Sequence, residues 1–160
     1  MTDPRSVPWT TRLAALAFAL GLATVWGTVL QTQFNLQALT PFVEIPPGTR
    51  VATTLQDLVG YGPTHLALVA AAWLPALPLA WRCARRWPRL RTPLYTVAAG
   101  VGLVVAIRAA DHFAPMPVLI DATRSAGGLL AIAAGSAAGG ALFALLTRRR
   151  LPVTPAGRAG

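Results

Sequence analysis

The chain has 160 residues, about the size of one ordinary domain, and is 54% hydrophobic with only 12% charged residues, oilier than soluble averages. All 14 basic residues are Arg, against five acids (Asp3, Glu44, Asp57, Asp111 and Asp121), for a net charge of +9. The single cysteine, Cys83, excludes an internal disulfide and any thiol relay. Whether the positive charge means nucleic acid depends on where the arginines sit.

Four stretches carry no charge: 13–43, 59–81, 94–107 and 125–147. A bilayer core of about 30 Å needs about 20 helical residues. The third stretch is long enough if Arg108 snorkels to the headgroup level. The expected fold is therefore all-α, an integral membrane four-helix bundle in a single domain, with transmembrane helices near 13–30, 64–81, 92–110 and 126–147. Residues 1–12 and 151–160 are expected to be flexible tails. The first helix follows a positive segment, but its apolar run exceeds a signal peptide's and no A-x-A-like site precedes the amides, so an uncleaved anchor is expected.

In chain order, the first helix carries Thr24, Thr28, Gln31 and Asn35 at i, i+4, i+7 and i+11, a single polar stripe. Amides turned to lipid would be left unpaired at several kcal/mol each, so the stripe is expected to face other helices or a wet cleft. The loop 31–63 is the one long connection. Within it "EIPPGTR" reads as a stiff turn, and Val51, Leu55, Leu58 and Val59 predict a short amphipathic helix over 49–60, capped by Thr49 and ended by Gly60. Pro75 and Pro78 should kink the next helix. The last two helices carry small-residue ridges, Ala98, Gly102, Ala106 and Ala110 in one and Gly127, Ala131, Gly135 and Gly139 in the other. Such ridges let backbones approach closely, which predicts an antiparallel hairpin, with a homodimer seam as the rival.

Charge placement tests the topology. With four passes, both termini and the loop 82–91 share one side, and that side holds 11 of the 14 Arg residues. The positive-inside rule then makes both termini cytoplasmic, in a bacterial inner membrane, and the arginines report topology rather than nucleic-acid binding.

At 1.5 Å per residue, Gln31, Arg108 and Arg124 arrive near the other boundary, where Asn35, Asp57, Asp111 and Asp121 join them in a polar rim. "RAAD" (108–111) and "DATR" (121–124) each pair Arg with Asp at i, i+3. Each Arg is expected to be satisfied by its own Asp; otherwise Asp57, an anionic lipid headgroup or a substrate carboxylate would bridge the two guanidiniums. His65 and His112 add ligand types, but no metal-binding spacing supports a metal, and no histidine is expected in the membrane core to hold haem. Ser136 reads as a packing residue, while Trp26 and Trp73 are candidates for lipid or cofactor contact.

The functional expectation is an accessory subunit or binding module without catalysis and without a resident cofactor. Its periplasm-facing rim of Gln31, Asn35, Asp57, Arg108, Asp111, Asp121 and Arg124 would engage another membrane-protein subunit, a second copy, or an amphiphile such as a lipid or quinone. A small transporter or oligomeric channel, or an enzyme acting on a lipid-linked substrate, are the competing readings.

Overall fold

The computed structural model describes residues 7–113 and 121–148. Five α-helices make up most of this, and no strand occurs among the described residues. They are α1 (Trp9–Leu39), α2 (Pro47–Gly60), α3 (Gly62–Arg86), α4 (Arg91–Phe113) and α5 (Ala126–Leu146), with short 3-10 turns at Pro88–Leu90 and Asp121–Arg124. Four of them, all but α2, are long and apolar enough to cross a membrane by length and composition.

Helix ends follow local chemistry. α1 does not stop at the amides but runs through them to Leu39, because no residue from Gln31 to Leu39 breaks a helix and Pro41 is the first that does. It also starts earlier than expected, at Trp9 rather than Leu13. Its 31 residues reach about 46 Å, well beyond a 30 Å hydrocarbon core. α2 opens on Pro47 in its first turn, where a missing N–H costs nothing. Tyr61 separates α2 from α3, and Pro63, also lacking an N–H, breaks the hydrogen-bond ladder between them. Ser125 caps α5, its hydroxyl accepting from the Gly128 amide at 3.0 Å. Pro75 and Pro78 lie inside α3.

The four long helices form a ring in which α5 packs on α1 and α4, α4 packs on α3, and α3 closes on α1; α2 rests on α1 and α3. The interior is built largely of small side chains. Ala15, Ala19, Ala23, Ala72, Ala76, Ala80, Ala99 and Ala144 are buried, joined by Leu103, Ile107, Ile132, Val69 and Trp73. Large apolar residues face outward instead, among them Phe18, Leu74, Leu79, Val97, Val101, Val105 and Leu130. A soluble domain rarely exposes so much continuous apolar surface, and close approach of helices over small residues is how bundles pack in lipid.

Glycines mark the closest approaches, but the ridges do not face one another. Gly102 meets Ala72 and Ala76 of α3. Gly135 lies under the Trp26 ring of α1, Gly139 meets Ala19 of α1 and Trp73 of α3, and Gly127 is exposed with nothing nearby. The α4–α5 hairpin closes through two other glycines, Gly100 against Ala133 and Ala137, and Gly140 against Tyr95 and Ala99. A repeat of four marks one face of a helix; which neighbour that face meets depends on the rotation of the whole helix.

A Cβ at Gly140 would lie 2.5 Å from both the Tyr95 carbonyl oxygen and the Ala99 Cβ, whereas one at Gly21 meets nothing within 4 Å. Gly140→Val should therefore destabilise the bundle by about 1–3 kcal/mol through overpacking, and Gly21→Val should leave it close to the parent. Thermal unfolding in detergent checks the pair, and equal melting temperatures would contradict this packing.

Candidate functional site

The polar residues gather where α1, α2 and α3 meet. α2 runs antiparallel to the last turns of α1, and three side-chain bonds tie the two together at successive levels. Arg50 Nη2 donates to Thr40 Oγ1 at 3.3 Å, Gln33 Nε2 to Thr54 Oγ1 at 2.9 Å, and Thr32 Oγ1 to Asp57 Oδ2 at 2.7 Å. The last is charge-assisted and the strongest of the three. Thr32 is buried, and its hydroxyl lies 3.0 Å from the Thr28 carbonyl as well, the carboxylate being the nearer acceptor.

Below this level the seam continues inward. Tyr61 packs on His65 with ring centroids 5.8 Å apart, its hydroxyl 3.5 Å from His65 Nδ1. Burial, and secondarily the Asp57 carboxylate, push the Tyr61 phenol from 10.0 up to about 12. His65 is wholly buried, and its ring lies over Gly27, where even a Cβ would overlap it. Its Nε2 and the hydroxyls of Thr24 and Thr28 are buried without a hydrogen-bond partner among the described residues. A side chain at Gly27 would overlap Nε2, so this ring atom lies against α1. His65 belongs to the first turn of α3 and sits between helices.

The predicted rim residues are thereby distributed. Gln31 Oε1 accepts from the Ala122 amide at 3.0 Å and ties α1 to the Asp121–Arg124 turn. Asp57, one of the candidate bridges between the two guanidiniums, accepts from Thr32. Arg108 and Asp111 form an ion pair at 4.0 Å with Arg108 largely exposed, a geometry that contributes little. Asn35 and Arg124 are exposed. The side chain of Asp121 falls outside the described residues. The polar stripe of α1 is inside the bundle at Thr24 and Thr28 and leaves it at Asn35.

Sequence reasoning missed Thr32, Thr54 and Tyr61 as members of this seam. Thr32 was within reach, since it continues Thr24 and Thr28 at i+4 spacing. Trp26 and Trp73 turn their indole N–H groups inward. Trp26 donates to the Ala131 carbonyl at 2.8 Å; Trp73 donates to Ser136 Oγ at 2.9 Å, which itself donates to the Ala99 carbonyl at 2.8 Å. Ser136 thus joins three helices. No group of three or more His, Cys, Asp or Glu side chains stands together among the described residues.

With the polar side of α2 turned inward, its apolar side faces out. Val51, Leu55 and Val59, at i, i+4 and i+8, are 60%, 59% and 79% exposed, and Phe42 in the preceding turn is exposed too. The seam's polar groups build this arrangement; the outward face of α2 is what it presents.

Asp57→Ala removes the strongest tie, so amides of 47–60 should exchange hydrogen markedly faster while those of α4 and α5 keep their protection; unchanged exchange in α2 would show that the tie does not hold it. Alkaline unfolding gives a second check. The folded chain keeps the Tyr61 phenol protonated to about 12, against 10.0 for a free phenol, so this group's contribution to stability is present below pH 10 and lost as pH rises toward 12. Tyr61→Phe should therefore melt with a shallower pH dependence over that window, and an unaltered slope would contradict the burial. Comparisons of the chain with protein-family models, with curated proteins and with solved structures give no match, so what it does has to follow from this geometry.

Proposed function

We propose that the protein is a four-helix bundle of a bacterial inner membrane, and that it serves as an accessory subunit whose α1–α2 hairpin docks a partner membrane protein on the periplasmic side. The orientation is supported by charge: Arg12, Arg82, Arg85, Arg86, Arg89, Arg91 and Arg148 lie at the end away from α2, where the described residues include no Asp or Glu. Gln31, level with the Asp121–Arg124 turn, then stands near the periplasmic boundary. The eight residues beyond Gln31, up to Leu39, carry α1 about 12 Å further, with α2 alongside, past a headgroup layer of about 6 Å.

The observation that carries this reading is the inverted polarity of α2. A helix facing water turns its apolar side inward and its polar side out. α2 does the reverse, hydrogen-bonding Thr54 and Asp57 to α1 while Val51, Leu55 and Val59 stand outside. Such a face beyond the bilayer core needs an apolar counterpart, and a neighbouring membrane subunit with its own apolar flank supplies one. Transport is disfavoured because the seam ends near Thr24; toward the Arg-rich end the facing residues are Ala15, Ala19, Ala80 and Ala84, which offer an ion or proton no partner.

A photo-reactive residue in place of Leu55, irradiated in native membranes, should crosslink a discrete protein. The double variant Val51→Glu/Val59→Glu should abolish recovery of that protein while the bundle melts within about 0.5 kcal/mol of the parent, as expected for exposed positions. Crosslinks to lipid alone, or recovery indifferent to the two charges, would sink the docking role.

A further inference from the structure

At the end away from α2, a cleft of about 450 Å³ opens between α1, α3, α4 and α5. Its wall is apolar, formed by Leu13, Leu16, Leu77, Pro78 and Phe143, and its mouth carries Arg12 and Arg91 with Trp81 and Tyr95. The two guanidiniums are held differently. Arg91 is fixed in place: Nη2 donates to Thr147 Oγ1 at 2.6 Å and to the Thr147 carbonyl at 3.4 Å, Nε lies 3.5 Å from the Ala144 carbonyl, and the guanidinium sits 5.1 Å from the centre of the Tyr95 ring. All its partners are neutral, so its full charge remains. Arg12 is exposed and has no side-chain hydrogen bond or ion pair with any described residue.

We infer that this cleft is a binding site for one anionic phospholipid of the cytoplasmic leaflet, with its phosphate between Arg12 and Arg91 and one acyl chain along Leu13, Leu16 and Phe143. The charge of the mouth selects an anion, since no described acid stands at this end to neutralise it. The wall selects a chain: an apolar groove running inward from a cationic rim fits an amphiphile and offers nothing to a free phosphate. Exposed Trp9 and Trp81, at the level where aromatic side chains favour the headgroup region, frame the same entrance. The site rests on membrane insertion of the four long helices but not on the docking role of α2, and it lies at the opposite end of the molecule.

Native mass spectrometry of the delipidated full chain, titrated separately with phosphatidylglycerol, phosphatidylcholine of the same chains and inorganic phosphate, tests it. A single phosphatidylglycerol should be retained, with phosphatidylcholine held more weakly and phosphate not at all. Arg12→Gln should weaken phosphatidylglycerol about fivefold, the scale of one basic residue at an anionic surface, while Arg12→Lys keeps most of the affinity. Leu13→Trp, at a half-exposed position that fills the wall, should weaken it as well. Equal retention of the two lipids, indifference to Arg12→Gln, or binding of phosphate comparable to that of the lipid would overturn the inference. The α2 variant Val51→Glu/Val59→Glu should leave lipid retention unchanged, which separates this site from the docking surface.

Discussion

The constraint on which the rest depends is that the helices come together over small side chains, with most of the bulk on the outside. Alanine and glycine line the interior, so backbones approach closely and dispersion between them, rather than exclusion of water, holds the ring. Two tryptophans are accommodated on these terms: Trp73 fits because Gly139 leaves it room, and Trp26 lies on Gly135. Each then places its N–H on a neighbouring helix, where an unpaired donor would be costly. The large side chains left outside need an apolar solvent, which is why the fold and the membrane reading are one argument.

The same economy explains the polar seam. Thr28, Thr32 and His65 are enclosed only because small neighbours, Gly27 and Gly62, let α3 come down on α1 at that level. The hydroxyl and carboxylate of Thr32 and Asp57 then hold α2 by its polar side. Turning that side inward obliges the other side outward. Thus the apolar face of α2 is a consequence of how α1 and α3 meet, and it cannot be hidden without breaking the bonds that position the helix.

Much of the architecture was legible in the residues. Gaps between charges located the four spans, and Val51, Leu55, Leu58 and Val59 located α2 within a few residues. The span expected to end near 30 follows the length of a bilayer core, whereas the helix itself runs on to Leu39 because its amides do not interrupt it before Pro41. The neighbours of each glycine were not legible for a deeper reason. α4 and α5 are apolar around nearly their whole circumference, so nothing in the sequence says which way each is rotated. The burial of His65 was not legible either: it follows from the approach that brings Gly27 beneath the ring, and a lone histidine near a helix end carries no signal of that. Among the rim residues, Gln31 and Asp57 each hold a neighbouring segment of this chain, ties that spacing along the sequence does not reveal.

The helices are not equally secured, and the difference bears on function. α5 is pinned at both ends by side chains: Ser125 caps its start, Gln31 holds the turn just before it, and Arg91 binds the Ala144 and Thr147 carbonyls at its finish, where the helix dipole favours a cation. It is also the most enclosed of the four long helices. α2 has no buried residue and depends on a few side-chain bonds to α1 together with its packing against α3. Local opening draws on the least-buried elements first, so α2 can separate from α1 at a smaller free-energy cost than any part of the ring. In the docking role proposed for it, α2 could therefore adjust to a partner while the ring of four long helices stays unchanged.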